Sequence, residues 1–263
     1  MNDQTVAREI HIHGERWAQL YDGYFSDPRV AREYVAAIIR TALAQPPAVI
    51  VDLGGGTGFI LEQLMAEGIP EDVRLVNMDE SASQLAMCRH PRIKTLAGAI
   101  QSFRREEIVK AGERLMVICR SVLHYGGIAR QKPWLALVRA QMQPGEWFVH
   151  QSGCANDLDG ALALDILFEM AGVDKWVPHK AALTRLLQQA KFNIVEDFAM
   201  LPLKMPAEVL KMRYQLTPQK LADIKAELRR ICARRPDLLV FTPAGFIFNF
   251  PYRVFVCQAG PNC

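Results

Sequence analysis

The chain has 263 residues, half of them hydrophobic and 22% charged, with a formal net charge of +3 at pH 7. That length buries a full core, and so mild a charge points to neither nucleic acid nor an anionic membrane surface as a partner. The opening stretch MNDQTVAREIHIHGERW lacks the apolar centre of a secretion signal, and no run is long enough to span a bilayer, so a cytoplasmic location is expected.

In chain order, residues 1–45 read as a helical segment. Trp17, Leu20, Tyr21 and Tyr24 recur at helical spacing. Ser26 or Asp27 caps a second helix that opens on Pro28 and runs through Val30, Tyr34, Ala37, Ile38 and Leu43. Pro46-Pro47 ends it and leads to the stretch VIVDLGGGTG, Val49 to Gly58. A short β-branched run ending in an acid, a glycine loop and then an apolar helical pattern from Phe59 predict strand, tight turn and helix. Further strands are expected at Val73–Met78, Ile93–Ala97, Leu115–Cys119, Glu146–Gln151 and Phe192–Val195, with helices between them. Strands and helices alternating at this spacing predict an α/β fold, a mostly parallel sheet flanked by helices.

Residues 203–245 depart from that rhythm. Thr217 and Pro218 start a helix with Leu221, Ile224, Leu228 and Ile231 on one face and Lys220, Lys225, Arg229 and Arg230 on the other. Such a basic face is either solvated or receives an anionic substrate. The chain returns through Phe246–Phe250 and Tyr252 to Cys257 as a last strand or hairpin partner. The expected organisation is a helical lid at 1–45, a cofactor-binding core at 46–202, a helical insert at 203–245 and a closing strand within 246–263.

The six cysteines are scattered without a CxxC pair and read as buried small apolar residues. No clustered Cys/His set predicts a metal, and His11 and His13 read as a solvated pair near the terminus.

Spacing separates three readings of the glycine loop. A phosphate loop needs GK[ST] at its far end, and none is present. A dinucleotide fingerprint fits Gly54 and Gly56 but places Phe59 where its third glycine belongs. What stands there is Asp52-Leu53-Gly54-Gly55-Gly56-Thr57-Gly58, an acid two residues ahead of a G-x-G-x-G core. This run resembles the first motif of the Rossmann-like S-adenosylmethionine-dependent methyltransferases, whose sheet has seven strands.

The resemblance implies S-adenosylmethionine as cofactor, with Gly54, Gly55 and Gly56 against it and Asp52 near its cationic end. Asp79, with Glu80 beside it, ends the second strand roughly 20 residues past the loop, where an acid accepts from the ribose hydroxyls. Many relatives place an acid after the glycine that closes the third strand. Here Gly98 is followed by Ala99-Ile100-Gln101, which assigns adenine contacts to Ile100 and Gln101.

Cys119-Arg120-Ser121-Val122-Leu123-His124-Tyr125 resembles the S-R-V-L-H segment of small-molecule O-methyltransferases. It places Cys119 by the cofactor and makes His124 the general base, although Tyr125-Gly126 replaces the usual D-W. Tyr21 is assigned to the methionine end of the cofactor, and Tyr24 and Tyr125 to the acceptor.

The implied activity is methyl transfer to a small-molecule acceptor, with oxygen favoured. The same cofactor also serves aminocarboxypropyl transfer or cyclisation, and a non-catalytic sensor is the reading from another class. A nucleic-acid acceptor is disfavoured by the lack of an N-P-P-Y-type tetrad, and the resemblance admits a homodimer.

Overall fold

The structure, a computed structural model, describes residues 23–243 and 245–261. Tyr21, His11, His13 and Cys263 lie outside the described residues.

Asp27 caps helix α1 (Pro28–Ala44) by accepting from the Arg29 amide, with Pro28 in the first turn. The buried face of α1, including Ala31, Tyr34, Val35 and Ile38, packs on the sheet and on the helix that follows the glycine loop. Strand β1 (Val49–Leu53) is buried along its whole length, as a central strand covered on both faces must be. Helix α2 (Phe59–Ala66), β2 (Arg74–Asp79), the short α3 (Ala82–Leu85) and β3 (Ile93–Ala97) follow. Next come β4 (Leu115–Arg120), α4 (Gly127–Ala140), β5 (Trp147–Gly153), α5 (Leu158–Met170), α6 (Lys180–Gln189) and β6 (Phe192–Ala199).

The insert holds β7 (Leu203–Pro206), α7 (Ala207–Tyr214), α8 (Pro218–Ile231), β8 (Leu239–Thr242) and β9 (Gly245–Phe250), and β10 (Tyr252–Ala259) closes the described chain. The main sheet has seven strands in the order β3-β2-β1-β4-β5-β10-β6. Its first five strands pair in parallel, while β10 runs antiparallel to both β5 and β6.

The region after residue 203 is richer in strand than the sequence suggested. Phe246–Phe250 joins β7 and β8 in a second, three-stranded antiparallel sheet, and only Tyr252–Ala259 completes the main one. Pro251 separates the two strands, which is where a missing backbone donor breaks a ladder. The alternating burial of β9, with Phe246, Phe248 and Phe250 inside, is the period-2 pattern of a half-covered sheet.

Helix α8 begins where its cap predicts, with Thr217 Oγ1 accepting from the Lys220 amide. Its basic face is solvated: Arg230 pairs with Glu227, and Arg235 beyond the helix pairs with Asp157 and Asp237. Five cysteines, at 88, 119, 154, 232 and 257, are free and buried, as their scatter predicted. Among the described residues, no helix is long and apolar enough to cross a membrane.

Tyr34 ties α1 to the sheet next to the site. Its buried hydroxyl accepts from the Cys119 amide at 3.1 Å and donates toward the carbonyls of Cys119 and Val149. Tyr34→Phe leaves a buried N–H without that acceptor and is expected to cost about 1–3 kcal/mol in chemical unfolding.

Candidate active site

The carboxyl ends of β1, β2, β3 and β4 meet on one edge of the main sheet, where the order reverses between β1 and β4. Ligands bind at such switch points in open α/β sheets.

The loop after β1 is shaped by close contacts. Gly54 sits at φ +72°, and a Cβ there would lie 2.4 Å from Val122 of the loop after β4. A Cβ on Gly55 would lie 2.4 Å from Asn77 Oδ1 and 2.7 Å from the Asp52 carboxylate. Only glycine fits between these side chains.

Asp52, at the end of β1, is 1% exposed, and neither carboxylate oxygen has a hydrogen-bond partner among the described residues. Burial, followed by the charge of Asp79, pushes its carboxyl from 3.8 up to about 7, against a smaller opposing effect of Arg120. A buried acid with no donor, beside a second acid, is costly unless a cation or donor arrives.

Asp79 ends β2. Its Oδ2 accepts from the Gly56 amide at 2.9 Å and its Oδ1 from the Ser81 amide at 2.8 Å. A carboxylate accepts about four hydrogen bonds, so both oxygens keep capacity for further donors. Ser81, not Asp79, is the cap of α3. Glu80 follows, exposed to solvent.

After β3, Ile100 is buried at the start of a short 3-10 turn, and Gln101 on the same turn is exposed. Cys119 is buried within β4, and burial drives its thiol far above the ordinary range, so it offers no thiolate.

Beyond β4 the backbone turns sharply at Ser121, φ +64°, and enters a 3-10 turn over Leu123–Gly126. His124 on this turn is 5% exposed, with its ring 4.3 Å from Tyr125 and 5.7 Å from Phe250, centroid to centroid. The His124 carbonyl accepts from the Trp176 amide, which fixes the turn against the loop after α5.

His124 and Tyr125 line a narrow, partly open cleft of about 20 Å³ together with Phe25, Lys175, Arg213 and Tyr214, among others. Tyr24 is not among the lining residues. Its ring stacks on Tyr252 and its hydroxyl donates to the Leu201 carbonyl at 2.6 Å, while its neighbour Phe25 faces the cleft.

The structure adds residues that the sequence reading did not single out. Arg120, buried at the end of β4, donates through Nε to Gln151 Oε1 at 2.9 Å and through Nη1 to the Phe25 carbonyl at 2.9 Å. It thereby ties the segment before α1 to the sheet edge, with the Phe25 ring 5.5 Å from its guanidinium. Asn77 on β2 donates to the Gly56 carbonyl and braces the loop from below. Lys175 and Arg213 reach the cleft from the loop after α5 and from α7. Arg120 stood inside the His124 segment and had a sequence signal; Lys175 and Arg213 had none.

Solved structures share this architecture at low sequence identity. A candidate methyltransferase from Bacillus halodurans gives a TM-score of 0.68 at 14% identity, covering 86% of this chain and 98% of the other. The cyclopropane synthase of Mycobacterium tuberculosis gives 0.58 at 15% identity over 98% and 100%. The 1,6-didemethyltoxoflavin-N1-methyltransferase of Burkholderia thailandensis, solved with 1,6-didemethyltoxoflavin and S-adenosylhomocysteine, gives 0.53 at 17% identity over 99% and 91%.

No protein-family model matches the sequence, and a search of curated proteins finds no relative. The likeness establishes the fold as the seven-stranded Rossmann-like methyltransferase fold. It does not name a reaction, since one of the three neighbours is a synthase.

Proposed function

We propose that the chain is an S-adenosylmethionine-dependent methyltransferase whose acceptor is a small molecule methylated on oxygen. The observation that carries this reading is the Asp52 carboxylate, buried beneath the glycine loop without a hydrogen-bond donor and beside Asp79. Two neighbouring acids at a switch point fit a cofactor that brings positive charge and a ribose diol. Asp52 is assigned to the cationic end, Asp79 to the ribose, the backbone of Gly54–Gly56 to the body of the cofactor, and Ile100 with Gln101 to the adenine. The cofactor supplies a methyl group made electrophilic by its sulfonium.

The remaining work belongs to the protein. His124, in the wall of the acceptor cleft, takes the proton from the acceptor hydroxyl, a role that a neutral imidazole nitrogen can fill. The rings around it exclude water and hold the acceptor in one orientation, which converts an encounter into a positioned reaction. Arg120 keeps the Tyr24–Phe25 segment over the edge of the sheet.

Cofactor affinity is expected to depend on pH through Asp52. Its folded value of about 7 lies above the ordinary 3.8, so its ionisation opposes folding as the pH rises between them. An arriving cation favours that same ionisation. Calorimetry is therefore expected to find binding up to roughly tenfold tighter at pH 8 than at pH 6, and Asp52→Asn to lose that component.

The reaction itself is tested by incubating the protein with labelled S-adenosylmethionine and small-molecule extracts, with products followed by mass spectrometry. S-adenosylhomocysteine with an O-methylated acceptor is the expected result. Methylthioadenosine would instead mean attack at another carbon, and binding without turnover would mean a sensor.

A further inference from the structure

Helix α5 is apolar on two sides. Its inner face buries Ala161, Leu164, Leu167 and Phe168. Its outer face carries Leu158, Leu162, Ile166 and Met170 at intervals of four residues, which places them in one stripe along the helix. Leu158 is 58% and Leu162 49% exposed, while Ile166 and Met170 are half-buried. A surface helix keeps polar residues on the side away from the core, and one that is apolar all round is normally covered all round.

Helix α8 runs alongside α5 in the opposite direction. Arg235, just past the end of α8, pairs with Asp157 at the start of α5. The far end of α5 and the first half of α8 line an open groove of about 590 Å³, with Ile166, Met170 and Ala226 as its apolar part.

The two ends of this helix pair differ in charge. Where α5 ends and α8 begins stand Asp165, Glu169 and Asp223, with Lys220 as the base among them, and none of the four makes an ion pair among the described residues. Glu227 beside them is already paired with Arg230. At the other end Arg229 and Arg234 are exposed and likewise make no ion pair among the described residues, Arg229 lying against the Phe241 ring. The acid there without an ion pair is Asp159, since Asp157 and Asp237 are taken by Arg235.

We infer that this face docks a second copy of the chain, as a two-fold dimer built on α5 and α8. A two-fold contact sets one patch against itself, so the patch must be its own complement. With the axis lying across the helices, the acidic end of one protomer meets the basic end of its partner at both ends of the contact, and the apolar stripes meet between them. With the axis along the helices, like charges would meet. Charge complementarity fixes register and excludes wrong arrangements, so the pattern selects the first. Each helix is only about 20 Å long, which puts the contact at the small end of specific interfaces, and a dissociation constant in the micromolar range is expected.

Sedimentation equilibrium of the whole chain, from submicromolar to several hundred micromolar, is expected to show a monomer–dimer equilibrium. Leu162→Glu should weaken it at least tenfold. Glu169→Lys with Asp223→Lys should do the same, and adding Arg229→Glu with Arg234→Glu to that chain should restore most of the loss, because the two ends have then exchanged sign. Radical footprinting reads the same face in the unmodified protein, so the inference stays testable if a variant fails to fold. Labelling of Leu158, Leu162 and Met170 is expected to fall as the concentration rises through the transition. A monomer throughout the range, a dimer as tight in Leu162→Glu as in the unmodified chain, no recovery in the charge-exchanged chain, or labelling that ignores concentration overturns the inference.

Discussion

His124→Ala is expected to lower kcat by about 10²–10⁴-fold, the usual loss when a general base is removed, with cofactor affinity unchanged within twofold. The expectation follows from where the ring stands. It lies on the turn after β4, in the wall of a cleft that no residue of the glycine loop assigned to the cofactor lines. The loss should shrink as the pH rises toward the pKa of the acceptor hydroxyl, because a pre-ionised acceptor needs no base. Full turnover by the alanine variant would remove His124 from the chemistry and leave it a wall residue. His150, buried in the middle of β5, gives the contrast. Its ring stacks between Phe148 and Phe255, and burial pushes it down to about 3, so it remains neutral in the core.

Asp79→Ala is expected to weaken S-adenosylmethionine binding by roughly 10- to 150-fold for each ribose hydrogen bond lost, taking ~1.5–3 kcal/mol for a bond to a charged group. The same carboxylate accepts from the Gly56 and Ser81 amides, so the alanine variant also loosens the loop. Asp79→Asn separates the two effects. It keeps one oxygen that can accept a backbone bond and removes the charge, so it should retain more of the thermal stability than of the affinity. Calorimetry and thermal unfolding on both variants measure this, and equal loss of stability and affinity would assign Asp79 to scaffolding alone.

The parts of this site carried by local sequence were legible before the fold was known. The β1 run, its glycine loop and Asp79 sit on consecutive elements, so strand periodicity and residue spacing place them on one edge. The short β3 was legible to the residue at Ile93–Ala97, because turns bound it on both sides. Residues whose position depends on tertiary packing were not legible. Nothing near Lys175 or Arg213 in sequence marks them: Arg213 meets Tyr125 because the insert folds back over the sheet edge, and Lys175 because the loop after α5 passes the same ring.

The basic face of α8 stands out instead, since charge at helical spacing is visible in sequence and its direction in space is not. That face points to solvent. Tyr24 and Phe25 show the limit at the scale of one residue: either aromatic suits the cleft, and the Tyr24 hydroxyl, by donating to Leu201, leaves the cleft to its neighbour.

The glycine loop, Asp52 and Asp79 are proposed as a site for S-adenosylmethionine. Titration calorimetry of the unmodified protein with S-adenosylmethionine and with S-adenosylhomocysteine tests it most directly. One site per chain with a dissociation constant in the micromolar range, strengthened between pH 6 and pH 8 and weakened by Asp79→Ala, is the predicted result. No detectable binding of either compound at millimolar concentration would rule out that assignment.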